Sequence, residues 1–442
     1  MSHASGLDEP SSPVSVSSLQ HHDHAPESPT LPSWKGRVST SPNAVNIVRK
    51  VMPRSQESKQ KPLLTKEVVV SSSNFNAYVK QIPPSLRTKP KQVAPAPAAG
   101  MYWSCAHTYG RETPRLLRAH TATLVGELMY VFGGCDAKSC YNTLYTLDLD
   151  TLTWSRPKTT GEAPPPCRAH SATLVDRKLF IFGGGDGPNY FNDLYILDTG
   201  TCLCLRDMST CCRSMPEKLI MVGLAETLVW SKPLIQGTPP TPRRAHTTCL
   251  YKQRIYIFGG GDGSRALHDV FYLDVSNLAQ MSWSKLEPAG RPPISRGYHT
   301  SNLVGDKWVI FGGSDGHECF NDVFVLDLAL EQWFLVDLDR EIPRLSHTAT
   351  QVGSYLFVVG GHDGTRYSND ILMLNLVTMN WEVRKVYGQA PSPRGYHSSI
   401  LYDSRLFIFG GYDGRSVFDD VYILDLAASA YLPQITNFAV EV

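Results

Sequence analysis

Short apolar runs of four or five residues end repeatedly in a pair of glycines. Leu179-Phe180-Ile181-Phe182 runs into Gly183-Gly184, and Leu406-Phe407-Ile408-Phe409 runs into Gly410-Gly411. The same ending occurs at Gly133-Gly134, Gly259-Gly260, Gly312-Gly313 and Gly360-Gly361, so the successive spacings are 50, 76, 53, 48 and 50 residues. Two residues beyond each pair stands an aspartate: Asp136, Asp186, Asp262, Asp315, Asp363 or Asp413. A glycine follows it in every copy but the first, which reads Cys135-Asp136-Ala137. A second apolar run then alternates with polar positions, as in Asn192-Asp193-Leu194-Tyr195-Ile196-Leu197-Asp198, and a tryptophan closes the unit at Trp154, Trp230, Trp283, Trp333 and Trp381.

Period-two alternation bounded by Gly, Pro, Asn and Asp predicts half-buried antiparallel strands. Each unit offers four. The first follows an Arg and a His, as in Arg168-Ala169-His170-Ser171-Ala172-Thr173-Leu174-Val175. The second ends in Gly-Gly, the third in Asp, and the fourth carries the tryptophan. Glycines at a strand end allow backbone angles and close approaches that a Cβ would block, and Asp-Gly suits a tight turn. A twisted sheet of about 50 residues cannot bury both faces alone, whereas radial stacking buries each sheet against its neighbours and keeps the edges short. The expected fold class is therefore all-β, a six-bladed propeller.

The paired glycines, the aromatic residues and the spaced tryptophan resemble the kelch motif, over residues 101–426. The last unit has no tryptophan after Asp425, while Trp103-Ser104 lies upstream of Arg118-Ala119-His120 much as Trp154-Ser155 lies upstream of Arg168-Ala169-His170. Residues 101–105 are thus expected to supply the outer strand of the last blade. The expected domains are a Ser/Pro-rich then basic disordered segment over 1–98, the propeller over 99–430, and a short tail over 431–442. Residues 200–225 interrupt the second unit. Removing them joins Asp198-Thr199 to Glu226-Thr227-Leu228-Val229-Trp230 and restores the Asp-to-Trp interval of Asp148 to Trp154. The segment is either an unspliced intron carried in the reading frame or a natural insertion in a surface loop, where added length costs little.

In a four-stranded blade the turns between strands two and three share one face with the blade-to-blade connections. The resemblance implies a protein or peptide partner on that face. The residues that vary there from copy to copy are Arg265, His317, Arg366, Tyr412 and Arg415, and variation is what a specific site needs. By the same rule, Arg118, Arg168, Arg244, Arg296, Arg344 and Arg394, with His120, His170, His246, His299, His347 and His397, recur in every unit and are expected to serve the fold. The repeated aspartates are expected to cap turns, and the tryptophans to pack between sheets. Intracellular kelch proteins act as ubiquitin-ligase adaptors, polarity scaffolds or signalling regulators. The alternative is a kelch oxidase resembling galactose oxidase, whose copper is held by tyrosines and histidines. No Tyr/His set here departs from the repeat in that way, so neither catalysis nor a cofactor is expected.

Charge sharpens this. The first 98 residues hold 12 Lys and Arg against 6 Asp and Glu, leaving 30 against 35 in the remainder. An acidic propeller is a poor match for a phosphate backbone, so no nucleic acid is expected. No run approaches the ~18 apolar residues of a membrane helix. The start of the chain, Met1-Ser2-His3-Ala4-Ser5-Gly6, lacks the basic and apolar regions of a secretory signal. A cytoplasmic, reducing setting with free thiols is the expectation. The cysteine spacings form no zinc pattern; His21-His22-Asp23-His24 is read as a solvated polar run, and no metal is expected.

Overall fold

The computed structural model describes residues 100–200, 228–426 and 440. The expected 1–98 segment, the interior of the insertion and most of the tail lie outside the described residues. The described part is all-β. Six sheets each carry the expected four antiparallel strands, and the sheets of blades two and six add a short fifth strand in parallel pairing, Thr159–Gly161 and Val386–Gly388. Blade two, for example, runs Ser171–Val175, Lys178–Phe182, Leu194–Asp198 and Leu228–Ser231.

The six first strands touch one another in a closed cycle around the axis. The ring is closed as expected. Met101–Cys105 pairs antiparallel with Val421–Asp425 and sets Trp103 opposite Leu424. The same pairing occurs in every blade: Leu147 with Trp154, Leu197 with Trp230, Leu273 with Trp283, Leu326 with Trp333, Leu374 with Trp381. Blade two keeps this register across its interruption, because Asp198 faces Val229 as Asp148 faces Thr153.

The tryptophans hold neighbouring sheets together. Trp154 packs on Phe409 of blade six, Trp230 on Phe132, Trp283 on Phe182, Trp333 on Phe258 and Trp381 on Phe311, with ring centroids 5.0–5.2 Å apart. Each phenylalanine ends the second strand of the preceding blade. Trp103 lies in one buried cluster with Phe357 and Val359 of blade five. Burying such an aromatic removes roughly 150–250 Å² from water, so the blade-to-blade seams carry most of the apolar stabilisation.

The glycine pairs have a steric cause. Both members take positive φ in all six copies. A Cβ on the first would lie 2.3–2.8 Å from a carbonyl oxygen of the following connection, at Cys167, Arg243, Arg296, Arg344, Arg394 or Leu117. The strand ends where the next blade's connection crosses it, and only glycine fits there.

Candidate binding face at the mouth of the central channel

The residue just before each repeated histidine builds an inner hoop. Ala169 N–H donates to Ala119 O, Ala245 to Ala169, Tyr298 to Ala245, Ser346 to Tyr298, Tyr396 to Ser346, and Ala119 to Tyr396, all at 2.8–3.0 Å. All six have φ between 52° and 58°. Left-handed backbone costs a non-glycine residue about 1 kcal/mol or more, and the unbroken hydrogen-bonded circle offsets that cost. No pattern of residues announces this hoop, since Ala, Ser and Tyr carry no mark of positive φ.

The repeated histidines sit beneath the hoop and are structural, as expected, but their bonds run between blades. Each Nε2 pairs with the first hydroxyl of the preceding blade: His120 with Ser398, His170 with Thr121, His246 with Ser171, His299 with Thr247, His347 with Thr300 and His397 with Thr348, at 2.7–3.2 Å. Burial holds all six imidazoles in the neutral form, to about 3 for His120, His246 and His397 and about 4 for His170. Among the described residues no group of three or more His, Cys, Asp or Glu converges as a metal site.

The arginines require a correction. The expectation treated Arg118, Arg168, Arg244, Arg296, Arg344 and Arg394 as one repeated position, but they occupy two. Arg243, Arg296, Arg344 and Arg394 stand sixteen residues before the first glycine of a pair. Each is buried, donates to that glycine's carbonyl, and forms a two-pronged pair with Asp269, Asp322, Asp370 or Asp420. Leu117 and Cys167 hold this place in blades one and two. Arg118, Arg168 and Arg244 lie one residue later, where the other blades have Gly297, Leu345 and Gly395. A one-residue shift turns the side chain out of the seam and toward the axis.

There the three are half-buried, and no carboxylate among the described residues pairs with them. Arg118 lies over the Tyr412 ring at 4.2 Å and Arg244 over Tyr190 at 4.7 Å. Arg118 Nε and Arg244 Nη1 are buried without a hydrogen-bond partner. A buried donor left unpaired costs about 1–3 kcal/mol, which an incoming acceptor recovers. Opposite them stand Tyr298 and Tyr396, whose rings meet edge to face at 5.6 Å. Burial pushes Tyr396 up to about 12, so its hydroxyl stays protonated. The mouth thus has a cationic half, Arg-Ala three times over, and an aromatic half.

The turns between strands two and three rise around this mouth. Five of the six repeated aspartates cap them: Asp262 Oδ1 accepts from Ser264 and Arg265 N–H, and Asp136, Asp315, Asp363 and Asp413 do the same in their blades, whereas Asp186 lies in the short strand Gly185–Asp186 paired with Asn189–Tyr190. Of the five expected binding residues, Arg265 lines a depression of about 360 Å³ with Tyr190, Arg244, Tyr298 and Tyr396. Tyr412 stacks under Arg118. His317 and Arg415 are exposed at turn tips. Arg366 faces a separate outer depression with Glu341 and Asp363. The structure therefore brings Arg265 and Tyr412 to the mouth and leaves the other three around it.

Comparison with known proteins agrees with this architecture. The model of the KLHDC2/KLHL20/DRC7 Kelch-repeats domain matches residues 97–210, 210–345 and 331–437. Acyl-CoA-binding domain-containing protein 5 of Arabidopsis thaliana is 29% identical over 238 residues, 52% of this chain and 33% of its own length. Rab9 effector protein with kelch motifs of Xenopus laevis is 26% identical over 198 residues, 44% of this chain and 47% of its own. Human leucine-zipper-like transcriptional regulator 1 is 30% identical over 214 residues, 48% of this chain and 23% of its own. The chain spans less than half the length of each of these relatives. With six blades, a ring closed by its first strand and a family match across the whole propeller, the chain belongs to the KLHDC2/KLHL20/DRC7 Kelch-repeats domain family.

Proposed function

We propose that this propeller is a non-catalytic protein-binding module of the cytoplasm, and that its channel mouth takes an acidic segment of a partner protein. The observation that carries this reading is the set of three half-buried arginines, Arg118, Arg168 and Arg244, which meet no carboxylate among the described residues and of which Arg118 and Arg244 keep buried donors without a partner. A carboxylate entering there satisfies donors that are otherwise buried and unpaired, and a charge-assisted bond of this kind is worth about 1.5–3 kcal/mol. Tyr190, Tyr298, Tyr396 and Arg265 around it supply the rigid aromatic and guanidinium contacts that dominate many interfaces.

The partner is read as a protein because one relative is named an effector of Rab9. That supports an adaptor or signalling scaffold, the class to which polarity and ubiquitin-ligase adaptors also belong. A metal-dependent oxidase is less well supported, because the channel histidines use Nε2 on bonds between blades. Among the described residues no helix is long and apolar enough to cross a membrane.

The test is affinity capture from the native cell with the full chain beside its Arg118→Gln/Arg168→Gln/Arg244→Gln variant. Partners held by the parent and lost by a variant that melts normally support the reading. A partner set unchanged by the triple substitution, yet lost on Arg265→Ala/Arg366→Ala/Arg415→Ala, would move the site to the turn tips.

A further inference from the structure

We propose that Cys135 and Cys140 form a reversible disulfide across the strand two–three turn of blade one when a small peroxide reaches the channel mouth. The two residues face each other in an isolated antiparallel bridge. Their neighbours set its kind: Asp136 N–H donates to Ser139 O and Tyr141 N–H to Gly134 O, which makes Cys135 and Cys140 a non-hydrogen-bonded pair. Such pairs hold Cα atoms about 4.5 Å apart with the side chains on one side. A disulfide needs Cα atoms about 4.4–6.8 Å apart, so the bond forms without moving the backbone.

This pair is peculiar to one blade. The equivalent partners elsewhere are Gly185 and Tyr190, Gly261 and Ala266, Ser314 and Cys319, His362 and Tyr367, and Tyr412 and Val417. Nothing in the fold calls for two cysteines here. Both are free thiols in the structure, Cys135 buried and Cys140 half-buried.

The surroundings divide the roles. Arg168 Nη1 donates to Cys135 Sγ at 3.8 Å. The Cys140 thiol and the Arg168 and Arg118 guanidiniums hold Cys135 well below the ordinary thiol range, whereas Cys140 is held above it by its hydrogen bond to Cys135, by burial and by the nearby Asp186. Cys135 is thus the nucleophile and Cys140 the resolving thiol. The Cys135 thiolate attacks one peroxide oxygen, the O–O bond breaks, and the departing hydroxide takes up a proton as water. Cys135 is then a sulfenic acid. The Cys140 sulfur attacks Cys135 Sγ, the S–O bond breaks, and the Cys140 proton leaves with the hydroxyl as a second water. Two thiols are oxidised to one disulfide and the peroxide is reduced to two waters. Because Cys135 is only 3% exposed, a water-sized oxidant is required. Oxidation also takes a negative acceptor from Arg168, which couples the thiol state to the charge of the mouth.

The test is mass spectrometry of the full chain after hydrogen peroxide, thiol alkylation and non-reducing tryptic digestion. Cleavage at Lys138 places the two cysteines in separate peptides that contain no other cysteine. The expected result is a Cys135–Cys140 linked pair of peptides that dithiothreitol releases. Cys319, which faces Ser314, stays alkylatable. Arg168→Gln slows linkage severalfold at neutral pH, and Cys135→Ser or Cys140→Ala abolishes it. Serine and alanine already occupy the matching positions of other blades, and melting curves confirm that these variants fold. Free thiols at both positions while the exposed Cys105 is oxidised would overturn the proposal. So would Cys135 accumulating as sulfinic acid with Cys140 untouched.

Discussion

Blades one to three and blades four to six spell their inner connections differently, and their arginines take different places. The first three read Arg-Ala-His; the last three read Gly-Tyr-His, Leu-Ser-His and Gly-Tyr-His. Blades three to six place a guanidinium one residue earlier, inside the seam, where it meets an aspartate and a glycine carbonyl. Blade three carries both arginines, Arg243 in the seam and Arg244 at the mouth. Residue type alone does not assign a role in a repeat. A shift of one position separates a fold-holding ion pair from a guanidinium that meets no carboxylate among the described residues: blades one and two have only the second, blades four to six only the first, and blade three has both.

Four results bear on this contrast, from the largest effect to the smallest. Deleting residues 101–105 removes the buried Met101 and Trp103 and leaves Val421–Asp425 as a bare edge. The loss should exceed ~5 kcal/mol, a large share of a typical ~5–15 kcal/mol; a thermal melt unchanged from the parent would contradict the closed ring.

Acid should act next. The six histidines are neutral in the fold, with pKa values lowered by burial. The unfolded chain takes up protons below about pH 6.5 and the folded chain does not. Stability is then full above pH 6.5 and falls as pH drops toward 4, because protons taken up by the unfolded chain's histidines favour the unfolded state. Melting temperature measured from pH 7.5 to 4.5 should fall steeply. A flat profile would mean that the ring tolerates charge.

Substituting Arg118, Arg168 and Arg244 together by Gln should weaken capture of an acidic partner tenfold or more while shifting the melt little; fluorescence titration with a labelled partner peptide measures the first and calorimetry the second. Removing residues 200–225 should matter least. Loop closure costs about 0.6 kcal/mol per doubling of length, so the shortened chain gains no more than about 2 kcal/mol. Its mouth should bind as before, since Asp198, where the interruption begins, lies at the end of its strand away from the turn between strands two and three. Sequencing the transcript across codons 200–225 tells whether the natural chain carries them.

The propeller was legible because its cause repeats. Six glycine pairs, six Asp turns and a tryptophan per blade fix strand order, and the orphan Trp103 reveals the closure. The site was legible only in part. Arg265 and Tyr412, which the variation between copies singled out, lie at the mouth where the proposed site is placed. Arg118, Arg168 and Arg244 were hidden because they look like the buried arginines beside them; counting back from the glycine pair, rather than forward to the histidine, separates the two sets. Tyr298 and Tyr396 were missed because the inner hoop depends on a backbone conformation that side-chain patterns do not announce.

The most direct measurement is the pair of single substitutions Arg296→Ala and Arg118→Ala, melted side by side. Both remove an arginine from the same connection of the repeat. Arg296 is fully buried and its partner Asp322 is 23% exposed, so its loss should cost roughly 2–4 kcal/mol, a little below that of a fully buried pair. At about 2–4 °C per kcal/mol for a large domain, the melting temperature should fall by about 4–16 °C. Arg118→Ala should move it by no more than about 2 °C. Equal falls would show that the two arginines do the same work, and the division of the ring into a structural half and a binding half would be wrong.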